Sequence, residues 1–324
     1  MTKKILSLKV KRNKDANQAD EVINDVFHDD PQKRFLHGVA IHPSPCIRLE
    51  LGSDQFTTRA MDLVTPIGMG QRGLIVAPPG SGKTTILKHV CQAVGKAYPE
   101  IKLYALLIDE RPEEVTDFKR SVPAQVHASS TDESYEQHVR VADDLLNTAR
   151  QEAGEGHNVM IVIDSLTRLT RVHNATGRSS GRTMSGGIDA RAMEIPRKLF
   201  GAARNIENGG SLTILATVLV DTGSRMDQVI FEEFKGTGNM EIVLSREAAN
   251  QRVFPALDIA KSSTRREELL LDTKDIKSVR ALRRALISVK PAEGAKKLVE
   301  LLEKYPTNAE LLSIMGEKGE ERDL

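Results

Sequence analysis

The chain has 324 residues, 40% hydrophobic and 28% charged, with 46 basic side chains against 45 acidic ones. At roughly 150 residues per domain this allows about two domains, or one large α/β domain with extensions, and it excludes wholesale disorder. No run approaches the ~18 uncharged apolar residues of a membrane helix, and the near-zero net charge excludes a globally basic nucleic-acid coat, though not a local basic strip or channel.

The opening segment, MTKKILSLKVKRNK, carries Lys3, Lys4, Lys9, Lys11, Arg12 and Lys14 and no acid. It lacks the long apolar run and small-residue cleavage site of a secretory signal. It reads as a solvated tail, or alternatively as an electrostatic tether for RNA. Residues 15–30 are acidic with short apolar pieces, enough for a helical turn or two. Residues 35–65 contain Pro43, Pro45, IRLEL and MDLV, and read as short strands and turns. Cys46 and Cys91 are the two cysteines. They cannot build a disulfide framework and have no CxxC neighbourhood, so a reducing cytoplasm is expected and zinc is not. Eight Phe, four Tyr and no Trp leave little material for base-stacking platforms.

From Gly73 onward short apolar runs alternate with stretches of helical period. The runs are GLIVA (73–77), LYALLID (103–109), VMIVID (159–164), SLTILATV (211–218) and MEIVLS (240–245). Runs this apolar suit central strands covered on both faces. Lys83 to Ala97 places Ile86, Leu87, Val90, Cys91 and Val94 on one helical face. Glu133 to Ala153 does the same with Tyr135, Val139, Ala142, Leu146 and Ala149. The alternation predicts an α/β domain with a mostly parallel central sheet. Residues 189–208 are helical in composition, with Pro196 starting or kinking the helix. Helices are expected at 275–288, at 293–304 and from Asn308, the last with Thr307 and Glu310 at capping-box spacing. Their apolar faces should pack on the sheet. The expected division is an N-terminal extension (1–60), the sheet domain (61–271) and a C-terminal helical extension of it (272–324).

The strongest local signal is APPGSGKTT, residues 77–85, between a strand and a helix. Here backbone N–H groups at a helix N-terminus can wrap a phosphate, with Pro79, Gly80, Ser81, Gly82 and Thr85 shaping the loop. Lys83 would reach the β- and γ-phosphates of ATP, and the Thr84 hydroxyl would ligate Mg²⁺. Ala77 stands where this motif usually has glycine. Asp164, at the end of VMIVID, would hold Mg²⁺ directly or through water. LLIDERPEE ends another strand in Asp109, Glu110 and Arg111. If that strand adjoins the phosphate-loop strand, Glu110 can orient and deprotonate the attacking water, and Arg111 can answer the γ-phosphate. The alternative is a surface charge cluster that starts a helix.

The strings GLIVAPPGSGKT, LLIDERPEEVTDF, VIDSLTRLTR, SSGRTMSGGIDA, FGAARNIENGGSLTILATVLVDTGS, EEFKGTGNMEI and RVFPALD together resemble the ATPase core of the bacterial transcription termination factor Rho family. The resemblance runs from about Asp62 to at least Leu271. It implies a RecA-like P-loop NTPase that works as a hexameric homo-oligomer, hydrolyses ATP in response to single-stranded RNA and moves along it. It implies Glu110 as catalytic base, Arg168 as a γ-phosphate sensor and Phe254 as the aromatic that packs on adenine. It implies Arg265 as an arginine finger given to a neighbouring copy, with Arg252 and Lys235 also at that intersubunit site. Two RNA-contacting channel loops are implied: 174–188, with Arg178, Arg182, Ser185, Gly186 and Gly187, and 221–227, with Thr222, Gly223 and Arg225. Arg225 stands where familiar members have lysine, and it can fork onto a phosphate.

Familiar members place a helical segment and an oligonucleotide-binding barrel ahead of the core, whereas about 60 residues precede Asp62 here. The reading is therefore of a motor with its channel site and without the usual RNA-loading module: a truncated sequence, a natural short form that loads through its basic tail or a partner, or a motor of this family put to another use, with RNA polymerase or a loading factor as the expected partner and no membrane involved. The alternatives are a ring ATPase acting on DNA or polypeptide, and a non-catalytic ATP-binding assembly module.

Overall fold

The computed structural model describes residues 30–176 and 185–320. The basic tail, most of the acidic segment and the loop positions Arg178 and Arg182 lie outside these residues. Among the described residues the first helix is α1 (Pro31–His37), which Asp30 caps by accepting from the N–H groups of Gln32 and Lys33. Two short strands follow, β1 (Ala40–Ile41) and β2 (Cys46–Ile47), then helix α2 (Phe56–Val64) and β3 (Ile67–Gly68). The regular alternation then begins. It runs β4 (Arg72–Ala77), α3 (Lys83–Ala97), β5 (Lys102–Glu110), α4 (Pro112–Ser121), β6 (Gln125–Ser130), α5 (Tyr135–Gly154), β7 (Asn158–Asp164) and α6 (Leu166–Thr176). After α7 (Glu194–Phe200) come β8 (Arg204–Ile206), β9 (Ser211–Leu219), α8 (Arg225–Lys235), β10 (Met240–Val243), α9 (Arg246–Asn250) and β11 (Ser263–Thr264). Three helices close the chain: α10 (Thr273–Ile287), α11 (Pro291–Lys304) and α12 (Asn308–Glu320).

The main sheet runs β11-β10-β4-β9-β7-β5-β6, with β8 and β1 attached beside β9. From β10 to β6 every neighbouring pair is parallel. Parallel strands need helical crossovers, and those crossovers cover both faces of the sheet. One face packs Ile75, Ala105, Met160 and Leu215 against Ile86, Leu87 and Val90 of α3. The other packs Leu74, Leu106, Ile161 and Ile214 against Ala142, Leu146 and Ala149 of α5. Because the strands are parallel and in register, Ala77, Asp164, Glu110 and Leu219 all finish at one edge of the sheet.

Several elements differ from the sequence expectation. MDLV belongs to α2 rather than to a strand, because Phe56, Ala60, Met61 and Val64 complete a helical stripe that four residues alone do not reveal. The helix expected over 189–208 stops at Phe200. Pro196 lies in its first turn, and the chain then extends so that Arg204 pairs with Leu212 and Asn205 with Ser211. On α5, Tyr135 is 52% exposed, and His138 and Leu145 take its place on the buried face. The edge strand β6, QVHASS, offers no apolar run for a sequence reading: among the described residues only one of its edges is paired and it is mostly half-buried. β5 does not adjoin β4, since β9 and β7 stand between them.

The C-terminal helices pack as expected on the α3 face, through Val279, Leu282, Leu298, Leu302 and Leu311. Thr307 Oγ1 accepts from Glu310 N at 3.2 Å, which caps α12. The buried Arg59 staples α2 to the end of α11: its guanidinium donates to Leu302 O at 2.8 Å and Tyr305 O at 2.6 Å, with Glu50 Oε1 3.3 Å away. No helix among the described residues is long and apolar enough to cross a membrane.

Arg59→Met keeps the stem but strands two helix-end carbonyls and the Glu50 charge. It should cost about 2–4 kcal/mol, read as a lower urea midpoint. A midpoint equal to wild type would mean that apolar contact alone docks α11.

Candidate active site

The phosphate loop is built by two backbone conformations that side chains resist. Gly80 has φ 76° and Gly82 has φ 96°, values at which a Cβ is strained. Ser81, buried, locks the turn by donating from Oγ to Pro78 O at 2.6 Å. Ala77 fits the first motif position because it is still strand. It is paired in register with Leu219, and its carbonyl accepts from Val220 N at 3.2 Å, so no glycine conformation is needed. The loop delivers Lys83 and Thr84 to the first turn of α3, with Pro79 and Thr85 exposed on its rim.

Asp164 ends β7 and is 1% exposed. Lys83 Nζ donates to its two carboxylate oxygens at 2.7 and 2.6 Å, and Thr84 Oγ1 donates to Oδ2 at 2.9 Å. Thr217 on β9 donates to Oδ1 at 2.8 Å. Sequence reading passed over Thr217; its signal was a hydroxyl inside the buried run SLTILATV. A hydroxyl beside a carboxylate is the hard-oxygen pair that suits Mg²⁺ when phosphates and water complete the shell.

Glu110 joins this group although two strands stand between β5 and β4. The route is a bulge. Asp109 has φ 55°, and the β5–β6 register shifts between Ile108 and Glu110. Glu110 is thereby turned inward, 2% exposed, with Oε1 3.5 Å from Lys83 Nζ and 3.3 Å from Arg168. Its Oε2 is buried and finds no hydrogen-bond donor among the described residues. Burial, then Glu114 and the Asp164 charge, push its carboxyl up from 4.5 to about 7, against the opposing pull of Lys83 and Arg168. Arg168 also donates to Asp109 O, which holds the bulge. Arg111, by contrast, caps α4 in solvent, 4.0 Å from Glu114, and is not brought to the phosphate loop.

A cleft of about 610 Å³ opens beside the loop, lined by Gln55, Phe56, Thr57, His89, Phe254 and Pro255. The Phe254 ring stands 3.8 Å from where a Cβ on Gly82 would be. Arg252, exposed, lies two residues away at this same end. A second cleft of about 650 Å³, lined by Arg140, Asp143, His173 and Arg191, shares no residue with the loop.

Arg265 and Lys235 are not at this end. Arg265 N donates to Asn239 O, and Asn239 N to Arg72 O, at the start of β4. From there the strand climbs roughly 17 Å to Ala77 at ~3.3 Å per residue. Lys235 ends α8, exposed, its ammonium 5.6 Å from the Phe231 ring centre.

The two loops are brought together. Gly186 is packed so closely on α8 that a Cβ would lie 2.9 Å from Arg225 O, and Gly186, Gly187 and Gly223 all have positive φ. Thr222 Oγ1 donates to the buried Asp227 at 2.5 Å, and Asp227 also pairs with Arg171. Arg225 is exposed at the start of α8. Ser185 opens the short 3₁₀ turn with Gly186 and Gly187.

Residues 57–264 match the ATP synthase alpha/beta family, nucleotide-binding domain. Transcription termination factor Rho of Streptobacillus moniliformis is 51% identical over 269 residues, 83% of this chain and 65% of that protein. Its counterpart from Cereibacter sphaeroides is 46% identical over 302 residues, 91% of this chain and 72% of that protein. This chain belongs to the Rho family. It spans about two thirds of the length of the Rho proteins it matches. Its fold is that of the P-loop ATPases: an ATPase from the type III secretion system of pathogenic bacteria superposes with a TM-score of 0.70 at 25% identity, covering 86% of each chain. In this Rho-family chain, then, the α/β fold with a mostly parallel sheet stands as the sequence suggested.

A raised carboxyl pKa means that the folded state holds its proton more tightly than the unfolded chain. That stability is complete below about 4.5 and is lost as pH rises through about 7. Glu110→Gln, permanently neutral, should therefore stabilise the nucleotide-free protein at pH 8 by about 1–3 kcal/mol and leave it near wild type at pH 4.5. Calorimetry at the two pH values checks the sign.

Proposed function

We propose that this chain hydrolyses ATP at the Lys83–Glu110–Asp164 cluster and uses the energy to move along single-stranded RNA. The observation that carries the reading is Glu110: a buried carboxylate with one oxygen held by cations and the other without a hydrogen-bond donor among the described residues, beside the lysine that follows the phosphate loop. An oxygen so placed accepts a proton from water and aims it.

The residues divide the work by charge. Lys83 exchanges Asp164 for phosphate oxygens, the better match for a compact point charge. Thr84 and Asp164 would hold Mg²⁺, which would supply positive charge to the phosphates. Glu110 orients the nucleophilic water and takes its proton. Arg168, bonded to the Glu110 strand end, registers the loss of the γ-phosphate. Phe254 offers its face to adenine across the cleft. Arg265, remote from its own loop, completes the site of an adjacent copy in a ring, with Lys235 beside it and Arg252 on the receiving rim.

The RNA reading rests on the loop pair. Gly186 packs against the backbone of Arg225, and Arg225 itself is exposed, so the two loops offer a guanidinium beside glycine backbone that a phosphate could approach closely. Six such faces would make a basic channel from a nearly neutral chain. The proposed setting is transcription termination, the role named in the Rho proteins of S. moniliformis and C. sphaeroides, with RNA polymerase or a loading factor as partner.

Steady-state ATPase on protein of measured mass tests these points together. RNA should stimulate turnover several-fold in a homo-oligomer, and DNA or unfolded polypeptide should not. Glu110→Gln should bind ATP yet lose at least ~100-fold in turnover, the scale of a lost general base. Stimulation by polypeptide alone would move the reading to protein translocation, and undiminished turnover in the variant would remove Glu110 from the chemistry.

A further inference from the structure

Arg265 emerges from a very weak support. β11 has two residues and pairs only Thr264 with Met240 and Ser263 with Glu241. Directly after Arg265 the backbone turns through a left-handed Arg266, φ 59°. Two residues of strand do not fix a side chain's origin by themselves. Immediately before the arginine, Thr264 Oγ1 donates to Pro66 O at 2.9 Å, and the bond from Arg265 N to Asn239 O, 2.9 Å, ties the arginine's own backbone to the sheet.

Asn239 in turn is held from several sides. Its Oδ1 accepts from Gln71 Nε2 at 2.6 Å and from Arg72 N at 2.9 Å, and its own N–H donates to Arg72 O at 3.0 Å. Gln71 is fully buried and anchored at its other end, where Oε1 accepts from Gly68 N at 3.1 Å. The Arg72 guanidinium is tied back onto two carbonyls, Thr237 O at 3.1 Å and Ala203 O at 3.0 Å. Held there, it is a fixed like charge behind Arg265; the Arg204 and Arg265 charges, after burial, make Arg72 a weaker base than usual. Repulsion from a fixed cation turns a mobile one outward. None of these bonds touches the phosphate loop of the same chain.

We infer that Asn239, backed by Gln71, is a positioning residue that fixes where Arg265 leaves the sheet toward the triphosphate of the neighbouring copy. The inference rests on the reading above that Arg265 acts across a subunit boundary. A shift of about 1 Å in such a group is enough to cost ~100-fold in rate. Alanine at 239 keeps the backbone carbonyl that accepts from Arg265 N but removes the side-chain oxygen that ties this residue to Gln71 and to Arg72 N, so the anchor of the Arg265 backbone is loosened. Its effect belongs to the neighbour's chemistry, not to nucleotide binding in its own loop.

Mixed rings separate the two. Glu110→Gln has a disabled site but a sound arginine; Arg265→Ala has a sound site but no arginine. Mixing these two should restore turnover, because some boundaries then combine both sound halves; if it does not, the cross-boundary reading fails, independently of Asn239. Given that control, Asn239→Ala alone should bind a fluorescent ATP analogue within ~2-fold of wild type and turn over ~10–100-fold more slowly. Mixed with Glu110→Gln it should regain activity, and mixed with Arg265→Ala it should not. Regain with Arg265→Ala, no regain with Glu110→Gln, or wild-type turnover alone overturns the inference. Should Asn239→Ala fail to assemble, as judged by mass, Gln71→Met replaces it in the same mixtures with the same expected and overturning results.

Discussion

Asp164 is a carboxylate buried almost completely, and everything at the phosphate end of the sheet is arranged around its charge. A buried carboxylate without partners costs several kcal/mol, and losing one member of a buried pair costs about 3–5. Here three donors from two other elements satisfy it: Lys83 and Thr84 from α3, and Thr217 from β9. The arrangement works only if β7, β9 and β4 are in register, because one residue of slip would turn Asp164 to the other face. The same constraint draws Lys83 inward along the loop, and its ammonium then comes within range of Glu110 across two intervening strands.

That charge cluster also links the nucleotide end to the loops. β9 contributes Thr217 to Asp164 and, three residues on, Val220 N to the carbonyl of Ala77. The chain then runs without interruption into Thr222, Gly223 and Arg225. On the other side Thr167 accepts from Leu219 N, and Arg171, one turn along α6, holds Asp227. One strand and one helix therefore join Asp164 to the face proposed to meet RNA through an unbroken run of hydrogen bonds.

The central strands were legible in the sequence because they are covered on both faces: KLYALLIDE and SLTILATVL carry their burial as unbroken apolar runs. The phosphate loop was legible because its glycines and Lys83 follow from backbone geometry that no other residues supply. The edge strand QVHASS and the two-residue strands are half exposed, and so leave no period to detect. Strand order was not legible either. A conditional placement of Glu110 next to β4 gave way to a bulge at Asp109, which places the carboxylate by a different route. Thr217, Gln71 and Asn239 are single polar residues in or beside strands, and nothing in their spacing distinguishes a structural hydrogen bond from a surface amide. Arg265 and Lys235 were reached through family likeness. Their position at the far end of the sheet emerges only from the topology.

That separation has a biological corollary. A six-residue strand keeps the arginine and the phosphate cradle of one copy too far apart to meet, so a solitary molecule cannot complete its own catalytic centre under the ring reading. Fuel consumption would then track abundance steeply: dilute copies idle, and a cell that lets their number fall switches the motor off without any inhibitor. The sheet, in effect, works as an insulator against futile burning by strays.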